Sequence, residues 1–384
     1  MFPRLRGVSA VVGGTAVLLG CDQIRRSRVF AKETIDHHNA LATEQKLHLK
    51  GLVVFFRHGA RTPLRHLVGV EEVHYDKNFF DGAVPHAEIP VCVKSLDGGE
   101  RPACPFQQRY QQQPFEGGME AGKLTKLGKE QAYVLGRRLR QKYGEDMHFL
   151  PAEFIPEDIY LRSTNIQRCV ESLQAALAGL FGQKAFTKAG DTATVGRFDM
   201  TQHRDHMVAR KTHGLPVPQW MLDMEDDIEK SAVRHILQHV KGPVGILNLI
   251  QNNLTTITTE HPSAKKLYLY SCHDTTLIPV LVSLGCFDNK WPNYAADIVF
   301  EVYEDNEKKN WIKVVYEGKE QILSGFKSAL IPKDKFMKLV KPFSLTDQDY
   351  LHKCSDLKAA KKHSAFWEAA MRSSDQVVDA PPGV

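Results

Sequence analysis

Leu52-Val53-Val54-Phe55-Phe56-Arg57-His58-Gly59-Ala60-Arg61-Thr62-Pro63 begins as an unbroken apolar run and ends on a histidine held between two arginines. Five consecutive apolar residues without polar alternation read as a strand buried on both faces, the habit of a parallel sheet. The histidine therefore stands at the carboxyl end of that strand. A second run of the same kind, Leu267-Tyr268-Leu269-Tyr270-Ser271, ends in Cys272-His273-Asp274. Ligands of open α/β sheets bind outside the carboxyl ends of their strands, so the two histidines and the carboxylate are expected to meet there.

The residue types fit phosphoryl transfer. A phosphate monoester dianion repels nucleophiles, and a site must neutralise that charge before attack. Guanidinium does so permanently, with a planar fork of donors that matches phosphate oxygens in pairs. A neutral imidazole can then displace the alkoxide and split one hard displacement into two easier ones. His58 is the candidate nucleophile, and neighbouring arginines keep its ring unprotonated. Asp274 is the candidate proton donor. Five fixed residue types within seven positions arise by chance in a chain of this length about once in ten thousand. The His273-Asp274 pair alone is far less specific, since buried histidines are commonly plain core residues.

The Arg-His-Gly-x-Arg-x-Pro stretch at 57–63, the distal His273-Asp274 and the order of elements between them resemble the histidine acid phosphatase family. Within it the chain is similar to the mitochondrial lysophosphatidic acid phosphatase branch. Further landmarks are Gly117-Gly118-Met119, Leu124-Thr125-Lys126-Leu127-Gly128, Arg162-Ser163-Thr164-Asn165 and Asp288-Asn289-Lys290-Trp291-Pro292. The resemblance implies a phosphoglycerate-mutase-like α/β fold, a mainly parallel sheet flanked by helices with a smaller helical cap. It implies that Arg57, Arg61, Arg162 and His273 bind phosphate, that His58 attacks and that Asp274 protonates the leaving group, without metal or cofactor. The implied substrate is a small phospholipid, lysophosphatidate; an inositol or sugar phosphate is the alternative, and a phosphate binder that has lost catalysis is the third.

Around these motifs the elements alternate. Helices are expected over 125–143, with apolar positions 127, 134, 135, 139 and 143, and over 164–181, with Val170, Leu173, Leu177, Leu180 and Phe181 on one face and Ser163 or Thr164 as cap. Asp158-Ile159-Tyr160-Leu161 reads as a strand leading into Arg162. A helical region covers 220–257, a helix follows Thr276, and 297–303 with 311–316 form a hairpin. The domain is expected over 46–354, with cap contributions near 64–120 and 183–257. Residues 182–206 are few and polar where family members carry a further strand and part of the cap, so the sheet edge and the pocket roof are expected to be incomplete. Leu64, Leu67, Phe106, Tyr110 and Phe115 lie in loops and either line an apolar channel or tuck into the local core.

A net charge of +5, from 50 basic and 45 acidic residues spread along the chain, gives no ground for nucleic acid. Seven cysteines form no CxxC and no metal-ligand spacing, although Cys92 and Cys104 could pair in an oxidising compartment. Residues 1–32 read as a targeting segment: Arg4 and Arg6 precede an apolar stretch from Val8 to Leu19, and Arg25, Arg26 and Arg28 follow. Its length suits a secretory signal and its arginines suit a mitochondrial presequence, which the resemblance favours. Phe366-Trp367 offers peripheral membrane contact or ordinary helix packing, the chain is expected to be a monomer, and 373–384 has the composition of a disordered tail.

Overall fold

The computed structural model describes residues 47–344 apart from 68–69, 81–91, 96–97, 102, 113, 183–191, 194–199 and 240–244. The stretches read as a targeting segment and a tail, together with Phe366-Trp367, lie outside the described residues.

One sheet organises the chain. Its strands are β1 (His48–Arg57), β2 (Ile159–Thr164), β3 (Thr192–Ala193), β4 (Leu267–Cys272), β5 (Asp297–Glu304), β6 (Asn310–Tyr316), β7 (Lys319–Glu320) and β8 (Leu330–Pro332). The order is β3-β2-β4-β1-β5-β6-β7, with β8 also on β6. From β3 to β1 every pairing is parallel, and from β5 onward the strands run antiparallel. The sheet is thus parallel in its core with an antiparallel extension built on the expected hairpin.

Alternate residues of β1 explain its unbroken apolar sequence. Val53 and Phe55 pack with Tyr268, Tyr270, Ile298 and Phe300 beneath α7 (Gly245–Thr258), α8 (Asp274–Leu284) and α9 (Lys333–Val340). Leu52, Val54 and Phe56 face the opposite way, toward α2 (Lys126–Leu139) and α3 (Gln167–Phe181). Both faces are covered, so neither tolerates a polar residue. The cap comprises α1 (Pro105–Gln111), α4 (Met200–Thr212), α5 (Gln219–Asp223) and α6 (Glu225–His239) together with the loops after β1.

Several expectations are corrected. In α2 the buried stripe is Gly128, Ala132, Leu135, Gly136 and Leu139, while Leu127 and Val134 are 40% and 56% exposed. Small residues set the closest approach: a Cβ on Gly136 would lie 2.0 Å from the Ala176 carbonyl oxygen, and one on Gly179 would lie 2.1 Å from that of Tyr133. α2 and α3 therefore cross backbone against backbone. Neither Ser163 nor Thr164 caps α3, which starts after Ile166 without a side-chain cap. Residues 182–206 do hold a strand, since β3 pairs with Ser163 and Thr164 of β2, and their last part is the start of α4. Cys92 and Cys104 are both free thiols.

The loop aromatics take the inward option. Tyr110 and Phe115 pack with Tyr75, Ala121 and Leu64, and Leu67 joins Met207, Met221 and Ile228. Leu64, Leu67, Tyr110 and Phe115 thus belong to the cap's own core, and Leu67 and Phe115 also border a small cavity; the side chain of Phe106 lies outside the described residues.

Candidate active site

β1 and β4 end side by side, with Arg57 in register with Cys272. The His58 backbone N–H donates to the Cys272 carbonyl at 3.1 Å, which fixes the two strand ends to each other. The loop after His58 is then tied down at each residue. Gly59 N–H donates to Ser172 Oγ of α3 and Ala60 N–H to Gln131 Oε1 of α2, while the Ala60 carbonyl accepts from both the N–H and the hydroxyl of Thr125. Thr125 Oγ1 in turn caps α2 by accepting from Gly128 N–H. Gly59 and Gly128 touch so closely that a Cβ on Gly59 would lie 2.0 Å from the Gly128 carbonyl oxygen. This explains the glycine that follows His58.

The His58 ring is held in one tautomer. Its Nδ1 lies 2.8 Å from the Gly59 carbonyl oxygen, which can only accept, so Nδ1 carries the proton and Nε2 keeps its lone pair. Burial first, then the charges of Arg168, Arg61, His273 and Arg57, hold its pKa well below the usual histidine value. His273 faces it edge-on, ring centres 5.4 Å apart, and is likewise pushed down to about 3 by burial and Arg168. Both rings are neutral near pH 7.

The arginines are anchored by distinct partners. Arg57 donates to the Pro292 carbonyl at 2.7 Å, pairs with Asp274 at 2.7 Å, and lies 4.2 Å over the ring of Tyr294. Arg61 meets both carboxylate oxygens of Asp205, at 2.9 and 3.0 Å, and Asp205 also accepts from Leu64 N–H. Burial pushes the Asp274 carboxyl up, but Arg57, Trp291, His273 and Arg61 outweigh it and hold the group well below the carboxylate range. Asp205 is likewise lowered: burial raises it and Arg61 more than compensates.

Arg57, His58, Arg61, His273 and Asp274 are thus brought together, and Arg162 is not. Strand alternation places Arg162 on the face of Tyr160, beside its register partner Tyr270, whose hydroxyl accepts from Asn253. The third cation of the site is Arg168, in the first turn of α3. It is buried, its Nε and Nη1 have no hydrogen-bond partner, and it is the strongest charge acting on His58 and His273. Gly122, at φ +68°, makes room for it, because a Cβ there would meet Nη1 at 2.9 Å. The sequence signal is the second arginine of Arg162-Ser163-Thr164-Asn165-Ile166-Gln167-Arg168, which follows the strand rather than lying inside it.

Sequence reasoning also missed Asp205 and Arg204, both from the stretch read as eroded cap. Arg204 stacks 4.8 Å over Trp291 and pairs with Glu229, which accepts from Trp291 N–H. No local pattern in the polar run 201–206 points to a role; only long-range contact does.

The histidine phosphatase superfamily (branch 2) model matches residues 48–217 and 239–317. The chain is 32% identical over 411 residues to the lysophosphatidic acid phosphatase type 6 of Bos taurus, covering 90% of this chain and 95% of that protein. It is 33% identical over 373 residues to the Homo sapiens protein of the same name, covering 80% and 86%. The lysosomal acid phosphatase of Bos taurus is 25% identical over 316 residues, covering 61% and 72%. The bovine alignment is longer than this chain's 384 residues, so that relative carries residues absent here.

Proposed function

We propose, from the premise that the chain belongs to the histidine phosphatase superfamily (branch 2) and is an acid phosphatase, that it hydrolyses lysophosphatidate to monoacylglycerol and phosphate through a phosphohistidine. The observation that carries the chemistry is a neutral His58 with its Nε2 lone pair free, at the centre of three guanidinium groups. The substrate class rests on the identity to relatives named for lysophosphatidate across most of both chains.

In the first step Nε2 of His58 attacks phosphorus, the P–O bond to the glycerol breaks, and the departing oxygen takes a proton from Asp274. Unliganded Asp274 is an ion-paired carboxylate and could not donate. An arriving dianion competes for Arg57 and places two negative charges beside Asp274, and both effects raise its pKa. The substrate thereby loads its own general acid. In the second step water attacks phosphorus, the P–N bond breaks, and the Asp274 carboxylate takes the water's proton, restoring free histidine. A pure binder needs neither the tethered tautomer nor an adjacent carboxylate, which argues against lost catalysis.

Phosphate release from lysophosphatidate, inositol hexakisphosphate and an aryl phosphate, measured side by side, tests this reading. The highest kcat/KM is expected on lysophosphatidate. A preference for the inositol phosphate would replace the lipid assignment, and no release from any of them would remove the catalytic one.

A further inference from the structure

Buried polar atoms that lack a hydrogen-bond partner are uncommon in folded proteins, and each needs a reason. Five such atoms among the described side chains gather in one place: Arg57 Nε, Arg61 Nε, Arg168 Nε and Nη1, and Tyr294 Oη. The arginines are accounted for by the phosphoryl dianion they await. Tyr294 is not, because its established contact is the ring face, on which the Arg57 guanidinium lies.

The placement of the hydroxyl gives it a second task. Tyr294 sits in the turn between Pro292 and β5, where Ala295 N–H donates to the His58 carbonyl at 3.2 Å and ties that turn to the nucleophile. The rings of Tyr294 and His58 are 6.0 Å apart. The charges that act on the phenol are Arg61, Asp205, Arg57 and Arg204, all groups of the site. Both Asp205 oxygens accept from Arg61, and one also from Leu64 N–H, and the Tyr294 hydroxyl makes no hydrogen bond to that carboxylate or to any other group of the protein.

We infer that Tyr294 is a substrate-binding residue whose hydroxyl donates to a phosphoryl oxygen of the bound substrate, while its ring holds Arg57 flat for the same anion. Burial raises the phenol's pKa more than the arginines lower it, so the proton needed for donation is present throughout the working range. The inference rests on the phosphate site and is independent of what the leaving group is.

Tyr294→Phe keeps the ring beneath Arg57 and removes only the donor, so it separates the two tasks. A hydrogen bond to a charged acceptor is worth enough that kcat/KM on an aryl phosphate should fall about 10- to 100-fold. Thermal midpoints measured with and without inorganic phosphate supply the second readout. Because the hydroxyl is unpartnered in the free enzyme, the variant should melt no lower than wild type without phosphate and gain less when phosphate is added. A kcat/KM within twofold of wild type would overturn the proposal. So would a lower midpoint without phosphate accompanied by an unchanged phosphate-induced gain, the mark of a structural hydroxyl. The phosphate arm needs no turnover, so an inert wild-type chain would count against ester hydrolysis and still decide the role of Tyr294.

Discussion

Exchanging Arg168 for Met, which keeps an unbranched apolar stem of similar reach, should disable the site, whereas Arg162→Met should not. Arg168 offers two unpartnered nitrogens, Nε and Nη1, from a buried position beside His58 and His273. Two hydrogen bonds to a charged acceptor are worth about 1.5–3 kcal/mol each, so their joint loss in the transition state predicts roughly 10²- to 10⁴-fold lower kcat/KM. Arg162 lies beside Tyr270 and does not figure among the charges that perturb His58, so its loss should cost less than about threefold. The pH profile adds a signed test. Arg168 is the largest charge depressing His58; without it the His58 pKa rises, more of the ring is protonated in acid, and the acid limb of kcat/KM moves to higher pH. Steady-state rates on an aryl phosphate between pH 4 and 8 suffice (roughly the span of histidine titration). If Arg162→Met proved the crippled variant, or if Arg168→Met left the acid limb in place, the assignment of the third cation would be wrong.

Asp274→Asn should slow cleavage of alkyl phosphates about 10²–10⁴-fold and cleavage of aryl phosphates much less, since aryl leaving groups depart without a proton; equal losses would reduce Asp274 to a partner of Arg57. Gly59→Ala forces a Cβ to within 2.0 Å of the Gly128 carbonyl oxygen, so it should cost about 3 kcal/mol and lower the thermal midpoint by roughly 5–10 °C; an unchanged midpoint would show that this contact yields easily. The depressed histidines also set the pH dependence of stability. A group whose pKa falls from 6.5 toward about 3 on folding, as for His273, stabilises fully above 6.5, and that contribution is lost as pH drops toward 3. The phosphate-free midpoint should therefore decline from pH 7 to 4 and be partly restored by inorganic phosphate; a flat profile would contradict neutral, buried histidines.

Much of the fold was legible because its central strands are buried on both faces and carry no alternation to confuse the reading. β1, β4 and α3 follow from their apolar patterns, and the meeting of Arg57, His58, His273 and Asp274 follows from their place at the ends of β1 and β4. What escaped notice has a common cause. The close crossing of α2 and α3 depends on glycines, which present no side chain for an apolar pattern to register, so Leu127 and Val134 drew attention that belonged to Gly136 and Gly179. Arg162 was taken as the third cation from the resemblance and from the strand that leads into it, yet a residue within a strand is committed to one face, while the first turn of the next helix overlooks the strand ends. Asp205 could not be found locally: its partner Arg61 is 144 residues away, and its own neighbourhood is uniformly polar.

The central claim is that His58 becomes phosphorylated through Nε2. Acid-sensitive phosphohistidine should be trapped when enzyme and ³²P-labelled aryl phosphate are mixed, denatured in alkali within milliseconds and digested, with the label on the peptide containing His58 and released by mild acid. His58→Ala should carry no label and show no turnover, while three arginines still bind phosphate. Label retained in His58→Ala, or located on another residue of the wild-type chain, would contradict the account.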